Sequence, residues 1–217
     1  MRTFGLSEFW FIVQAAQWTL ALSAIAFVGG SILGLIVALS RTSENRVARI
    51  ASTLFIQVFQ GTPLLLQLFL IFFGAPVFGL EVNPWVAAGM ALVLNSAAFL
   101  GEIWRGCIEA IPRGQWEAAH ALNLGYTARM RFVVLPQAFK IALPPTVGYV
   151  VQIIKGTSLA AIIGFTEITR AGQIINNATF EPLHVFTTVA ALYFVICWPL
   201  SLMAARMERQ RARALTR

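Results

Sequence analysis

The chain has 217 residues, of which 58% are hydrophobic and only 12% are charged, and its mean hydropathy is +0.75. Soluble domains carry about 25% charged residues, so this composition excludes an ordinary soluble domain and predicts a membrane protein. The formal net charge of +7 would suit a nucleic-acid-binding protein, but the basic residues flank apolar segments, which is the pattern of membrane orientation. We therefore expect contact with membrane lipid and none with nucleic acid.

Five apolar segments are long enough to cross a membrane, since a spanning helix needs about 20 residues. A short segment before the first, from Glu8 to Gln17, carries Trp10 and Gln14. It is interpreted as an interfacial helix outside the span. The sequence thus predicts an all-α membrane protein with one domain over residues 1–217. The five predicted spans are Trp18–Leu39, Thr53–Phe73, Trp85–Trp104, Ile141–Phe165 and Leu183–Ala204.

The first two spans contain motifs of small residues. In the first, Gly30 and Gly34 have the G-x-x-x-G spacing that lets two helices pack closely. In the second, the Gly-Thr-Pro segment at 61–63 predicts a kink, because proline has no backbone N–H to donate. A ligand site at this segment is the alternative. Gln67 follows the motif and is a candidate to line a polar path through the membrane.

Polar side chains in the third span are functional candidates, because they are costly inside a membrane. Asn95 and Ser96 lie about ten residues, or about 15 Å at 1.5 Å per residue, into that span. They are assigned to the same polar path, and a purely structural role between helices is the alternative. Glu102, near the end of the span, either pairs with Arg105 or lines the inner exit.

A cation lies inside the fourth span. Lys155 is followed by Gly156, Thr157 and Ser158, and a Pro-Pro pair at 144–145 precedes it. The prolines predict a break in the helix, and a broken helix beside a cation is a plausible site for a carboxylate.

Two other roles for Lys155 stay open. Its long side chain can reach the outer interface, as lysines near helix ends do. It can also form an internal ion pair with Glu102 or Glu167.

The basic residues predict the orientation of the chain. Most of them fall after the first span, between the third and fourth spans, or in the C-terminal tail, whereas the opposite side has only Arg2 and Arg170. The positive-inside rule then places the N-terminus outside and the C-terminus in the cytoplasm. The run from Arg206 to Arg213 is expected to face lipid headgroups. The predicted cytoplasmic residues are Arg41, Arg46, Arg49, Arg105, Arg113, Arg129, Arg131, Lys140, Arg206, Arg209, Arg211, Arg213 and Arg217.

A polar stretch at 113–131, RGQWEAAHALNLGYTARMR, separates the third and fourth spans. Its centre is rich in good helix formers, and Gly125 is the kind of residue that ends a helix. We expect a helix of two to three turns, with Trp116 and Ala119 on a face that another protein surface approaches. The pattern fits equally a helix that lies on lipid headgroups.

Glu117, Ala118 and Ala119 are followed after five residues by Gly125 and after nine more by Leu-Pro at 135–136, which matches the EAA loop of ABC importer permeases. Over most of its length the chain resembles the permease subunits of polar amino acid ABC importers, the histidine, glutamine and arginine permease-like family. The other matching segments are 61–63, 102–106, 108–112, 114–115, 137–138, 141–144 and 155–159.

This resemblance implies a type I ABC importer permease with a MetI-like fold, a multi-pass protein of the bacterial inner membrane. Residues 112–131 would form a coupling loop that docks onto a cytoplasmic ATPase. The implied cargo is a polar amino acid or a close derivative. The family position at Gly156 is often acidic or polar, so glycine here removes a side chain that would suit a basic substrate. The other implied partners are a second, identical or similar permease and an extracytoplasmic solute-binding protein.

The sequence contains no G-x-x-x-x-G-K-[ST] phosphate-binding loop. ATP use is therefore expected on a partner subunit, and this chain is expected to be no enzyme and to carry no cofactor. His120 and His184 are isolated, and no metal site is predicted. Two other functions stay open: a secondary transporter driven by an ion gradient, and a membrane scaffold that recruits a cytoplasmic partner.

Overall fold

A computed structural model describes residues 3–215, so Arg2 and Arg217, which the orientation prediction used, lie outside the described residues. Over the described range the chain forms helices joined by short turns, without a strand. The α-helices of this range are α1 (Leu6–Thr42), α2 (Arg46–Gly61), α3 (Leu64–Gly74), α4 (Pro84–Glu109), α5 (Arg113–Ala121), α6 (Tyr126–Arg129), α7 (Leu135–Gly156), α8 (Ile168–Thr179) and α9 (Pro182–Leu215).

The long helices account for the predicted spans. Four stretches are long and apolar enough to cross a membrane, namely α1, α4, α9 and the continuous run Tyr126–Ile163 that contains α7. The bent pair α2 and α3 makes a fifth if it crosses as one unit. A π-helical turn (Met130–Val134) joins α6 to α7, and a 3-10 segment (Thr157–Ile163) follows α7. The prediction of an all-α membrane protein with about five spans is confirmed.

The segment before the first predicted span is not a separate interfacial helix. α1 runs unbroken from Leu6 to Thr42, and Glu8 near its start is buried and accepts from the backbone N–H of Gly5 at 3.1 Å. Ile12 is fully buried in a cluster that includes residues of α8 and α9. The interfacial interpretation is wrong because this face packs on protein.

α1 and α4 make the most extensive helix-to-helix contact in the described part of the bundle. A Cβ atom placed on Gly30 would lie 2.5 Å from the Cβ of Ser96, and one on Gly34 would lie 3.1 Å from the Cβ of Leu100. Contacts this short leave room only for hydrogen, so the close packing predicted from the G-x-x-x-G spacing is confirmed.

The second predicted span is broken rather than straight. α2 ends at Gly61, α3 begins at Leu64, and the chain bends by 99° between α2 and the helical segment Leu64–Phe78. Pro63 stands at the N-cap of α3, where its missing N–H interrupts no helical bond. The predicted kink at 61–63 is confirmed, but Thr53–Phe73 is not one continuous helix.

α7 continues through both of its prolines. Pro145 has no N–H for the carbonyl of Ile141, four residues earlier. The guanidinium of Arg211, from the C-terminal part of α9, donates to that oxygen at 3.1 Å. The helix changes to 3-10 only after Gly156. The prediction that 144–145 break the span is therefore wrong, and Arg211 binds backbone rather than facing lipid headgroups.

The two ends of the bundle differ in charge. We call the end that holds α5, α6 and the last turn of α1 the basic end, because Arg41, Arg113 and Arg129 lie there. The hydroxyl of Tyr126 in α6 donates to the carbonyl of Thr42 at 3.4 Å and ties α6 to α1. α8 lies at the opposite end, where the backbone N–H of Ile168 donates to the hydroxyl of Thr19 at 3.2 Å.

Candidate coupling surface and transport path

The Glu-Ala-Ala segment lies on the short helix predicted for it. α5 has nine residues, about two and a half turns at 3.6 residues per turn, which confirms the predicted length. It begins directly after Pro112 and is closed by the backbone N–H of Leu124, which donates to the carbonyl of Ala119 at 3.1 Å.

The residue that turns the chain after α5 is not the predicted one. Asn123 has a φ of 56°, the left-handed conformation that closes many helices and that asparagine tolerates. Gly125 has a φ of −61° and instead precedes the first residue of α6. The prediction that Gly125 ends the helix is wrong.

The two faces of α5 have different surroundings. Ala119 is buried, and Trp116 packs on an apolar cluster that includes Ile108 of α4 and Val134 before α7. We call this the basic-end cluster. The face carrying Trp116 and Ala119 therefore holds α5 on the bundle, and the expectation that a partner approaches this face is wrong.

The opposite side of α5 is open. Glu117, Ala118 and Ala121 are exposed, and 75% of Leu122 is accessible. A Cβ atom on Gly125 would meet no atom within 4 Å. We call these five residues the coupling surface. Its small side chains leave the backbone accessible to another protein.

Gln67 and Asn95 come together at the bend between α2 and α3. The side-chain amide of Gln67 donates to the carbonyls of Phe59 (2.8 Å) and Thr62 (3.0 Å), which the bend leaves without helical partners. The amide of Asn95 donates to the carbonyl of Phe59 and to the side-chain oxygen of Gln67, each at 3.3 Å. Tyr149 of α7 donates to the Asn95 side-chain oxygen at 3.5 Å. These side chains satisfy a broken backbone in the bundle interior.

Ser96 and Glu102 lie away from that bend. Ser96 is buried on the face of α4 that packs on Gly30. Glu102 accepts two hydrogen bonds from Arg105, at 2.8 and 2.5 Å, which confirms the predicted pairing. The inner-exit role of Glu102 stays a prediction.

The segment from Lys155 to Ser158 lies where α7 ends. A Cβ on Gly156 would lie 3.3 Å from a methyl carbon of Leu64, the first residue of α3. The break in α7 therefore lies beside the break between α2 and α3. Thr157 is buried and donates to the carbonyl of Ile154, and Ser158 donates to the carbonyl of Lys155, both at 2.7 Å.

The side chain of Lys155 is exposed at this junction. Within residues 3–213 it makes no ion pair, and both carboxylates proposed for it have other partners. The internal ion pair with Glu102 or Glu167 is therefore excluded, while substrate contact and a reach to the interface stay open.

Glu167 forms a buried network that the sequence reading missed. Its carboxylate accepts from the hydroxyl of Tyr193 at 2.6 Å and from the backbone N–H of Arg170 at 2.8 Å. The side chain is fully buried at the start of α8, and this burial raises the pKa of Glu167, although the hydrogen bonds oppose the shift. A glutamate just after the fourth predicted span was the available signal, but Tyr193 is 26 residues away along the chain.

A family model described as a binding-protein-dependent transport system inner membrane component matches residues 30–213. Among curated proteins, the chain is 34% identical over 208 residues to a probable amino-acid ABC transporter permease of Bacillus subtilis strain 168, covering 96% of this chain and 92% of the relative. It is 35% identical to the L-cystine transport system permease of the same organism, covering 96% and 93%. It is also 35% identical to the glutamine transport system permease of Escherichia coli K12, covering 92% of each.

Two solved structures have the same fold. One is described as an amino acid ABC transporter with histidines; it has a TM-score of 0.88 and 33% identity, covering 97% of this chain and 100% of that one. The other, an inward-facing form of the MetNI methionine ABC transporter, has a TM-score of 0.79 at 18% identity and covers 95% and 99%. Since the family match extends over most of the bundle and the relatives align along nearly their full lengths, the chain belongs to the inner membrane components of binding-protein-dependent transport systems, as a multi-pass permease.

Proposed function

We propose that this permease serves an ABC importer that takes up a polar amino acid or a close derivative. The names of the relatives support this substrate class, since they specify amino acids, cystine and glutamine. We further propose a cytoplasmic ATPase, a second permease copy or homologue, and an external solute-binding protein as partners. The membrane orientation predicted from the basic residues would place the basic end in the cytoplasm, where the ATPase would bind.

The open coupling surface is the observation that carries the proposal. Glu117 offers a charge for a basic partner residue, and Gly125 leaves the backbone uncovered. The opposite face of α5 is anchored in the basic-end cluster, which includes Ile108 of α4 and Ala138 of α7. A pull on α5 is therefore transmitted to α4 and α7 rather than absorbed by a loose loop.

α7 links this surface to the proposed path. It begins in the basic-end cluster and ends at Gly156, against the first residue of α3. A displacement of α5 would thus shift the junction of the two helix breaks. We propose that substrate passes this junction and that Lys155 attracts its carboxylate, with Thr157 and Ser158 nearby. Gln67 and Asn95 would shape the path through the backbone they support, and Ser96 through the packing of α4 on α1.

The coupling role is tested by Glu117→Lys and Gly125→Asp. Both changes lie on the open surface, so the permease should insert and fold normally. A new charge or side chain at the centre of a docking surface should lower ATPase association and uptake about tenfold or more. Glu208→Lys, an exposed charge reversal on α9, is the matched control. Normal association and uptake in both coupling variants would overturn the assignment.

The path role of Lys155 is tested by Lys155→Ala with Lys155→Arg as the charge-preserving control. The alanine variant should lower uptake while ATPase association is unchanged, and arginine should restore part of the rate. Unchanged uptake in Lys155→Ala would remove this residue from the path.

The two other functions have direct tests. Uptake by this chain alone in proteoliposomes, driven by an ion gradient, would establish a secondary transporter. An ATPase complex that assembles but moves no substrate would support the scaffold.

A further inference from the structure

Two glutamine side chains face outward at the middle of two spans. Gln57 of α2 and Gln152 of α7 are exposed, and neither amide has a hydrogen-bond partner within residues 3–213. Gln57 lies 11 residues, or about 16 Å, beyond Arg46, the first residue of α2 at the basic end. Gln152 lies 12 residues, or about 18 Å, beyond the exposed Lys140 on α7. Both amides are therefore near the middle of a hydrocarbon core about 30 Å thick.

These amides belong to neighbouring helices, because α2 and α7 meet at the same residue of α4. Asn95 donates to the carbonyl of Phe59 in α2 and accepts from the hydroxyl of Tyr149 in α7. Gln60, the residue after Phe59, is exposed and donates to a carbonyl of α4 at 3.2 Å. Lys155 is exposed one turn beyond the amide of α7. We call the side chains that connect these points the polar strip, which consists of Gln57, Gln60, Tyr149, Gln152 and Lys155.

Other outward faces of the spans are apolar. The middle of α1 exposes Val28 and Ile32, and the middle of α9 exposes Val195 and Trp198. α2 itself has an apolar face next to the polar strip, where 55% of Val58 is accessible. An amide that lies in hydrocarbon loses its hydrogen bonds to water and gains none in return, which is costly. The apolar faces therefore suit lipid, whereas the polar strip suits water.

We propose that the polar strip borders a water-filled path inside the membrane and that Gln57 and Gln152 contact the substrate as it passes. The contact with substrate rests on the proposed function, whereas the contact with water does not. A side-chain amide both donates and accepts hydrogen bonds, so it suits the ammonium and the carboxylate of an amino acid alike. Since Gln57 lies nearer the basic end than Lys155 does, the strip extends the proposed path from the junction of the two helix breaks toward the basic end.

The first test measures whether the strip meets water. In a background without the two buried cysteines, single cysteines replace Gln57 or Gln152, and Val58→Cys and Val195→Cys are the apolar controls. A thiol reacts as its thiolate, which forms in water rather than in hydrocarbon, so a membrane-impermeant methanethiosulfonate should label the two strip positions at least about tenfold faster than the controls. The assay uses the full-length permease without ATPase, in inverted and right-side-out membrane vesicles, and labelling from either side counts.

The second test measures whether the amides meet substrate. In the complex with ATPase and solute-binding protein, uptake is followed with a mixture of radiolabelled polar amino acids and cystine. Gln57→Leu and Gln152→Leu should each lower uptake about fivefold, the effect of one lost hydrogen bond, while ATPase association and thermal stability stay unchanged. Gln57→Asn and Gln152→Asn keep the amide and should restore part of the rate. Val195→Leu is the control and should transport normally.

Labelling of Gln57→Cys and Gln152→Cys at the rates of the controls would overturn the proposal. If these cysteines instead form disulfides between two permease copies on mild oxidation, the strip is a dry contact between copies rather than a path. Normal uptake in both leucine variants would overturn the contact with substrate. A wild-type complex that takes up none of these amino acids would refute the proposed function, and the labelling rates would still decide whether the strip faces water.

Discussion

Gly30 and Gly125 occupy opposite environments. Gly30 lies in the seam between α1 and α4, where an added Cβ would be 2.5 Å from Ser96, whereas Gly125 has no atom within 4 Å of that position. Position 30 requires glycine because Ser96 of α4 already fills the space that a side chain would need. The second leaves a space that nothing in the described chain uses. Small residues thus serve internal packing in the membrane and external access at the basic end.

Polar residues divide in the same way. The side-chain amides of Gln67 and Asn95 donate to a backbone carbonyl at the bend between α2 and α3, and Asn95 also donates to Gln67, inside the bundle. Glu117 is exposed on α5 without an ion pair among the residues whose side chains are described. A polar side chain with satisfied partners stabilises the fold, while one that is left free is available to another molecule.

The largest expected effect is on the seam. Gly30→Leu should lower the stability of the permease by about 3 kcal/mol or more, because a side chain must displace Ser96 and separate the two helices. Gly125→Leu makes the same change in open space and should leave stability unchanged. Thermal unfolding of both variants in one detergent measures the difference, and equal midpoints would break the comparison.

Next comes the bend. Gln67→Leu should lower the free energy of unfolding by about 2 kcal/mol, because the carbonyls of Phe59 and Thr62 lose a buried donor. Gln152→Leu, on an exposed face of α7, is the matched control and should change little. Equal detergent stability of the two variants would show that water or another donor replaces Gln67.

A smaller effect is expected at the carbonyl of Ile141 in α7, which Pro145 leaves without a backbone donor. Arg211→Leu should lower the free energy of unfolding by about 1 kcal/mol, since one charged hydrogen bond to a partly exposed carbonyl is lost. Arg209→Leu removes an exposed charge from the same helix and serves as the control. Equal or slower hydrogen exchange at residues 141–149 in Arg211→Leu than in Arg209→Leu would contradict a stabilising role for the contact between Arg211 and Ile141.

The smallest effect concerns pH. Burial raises the pKa of Glu167 above its ordinary value of 4.5, so the folded protein holds a proton there more tightly than the unfolded chain does. Its stability should therefore fall as pH rises from that ordinary value through the raised pKa. Glu167→Gln, which cannot ionise, should flatten this part of the curve of thermal midpoint against pH. An unchanged curve would assign the dependence to other groups.

Features set by local composition were predictable from the sequence. The apolar runs located the spans, the Gly-Thr-Pro segment located the bend, and the helix formers around Glu117 located α5. These signals are local because each depends on residues within one or two turns. The lipid bilayer further constrains the fold, since this chain can cross it only as long apolar helices.

Most of the errors came from distant contacts. The face of α1 near Ile12 resembles an interfacial helix until α8 and α9 cover it. The prolines of α7 resemble a break until Arg211 supplies the missing donor. At α5, two residues close together both suit a helix end, and the chain turns at Asn123 rather than at Gly125. The sequence could not show which face of α5 packs on the bundle and which is exposed, because the basic-end cluster is formed by residues from other parts of the chain.

The contact between Arg211 and Ile141 also sets an order of assembly. The two residues are 70 positions apart, and Ile141 leaves the ribosome first. Until the end of α9 is synthesised, the carbonyl exposed by Pro145 depends on water or headgroups near the membrane surface. Arg211 can supply this hydrogen bond only after almost the whole chain has been translated, so α7 first forms without it.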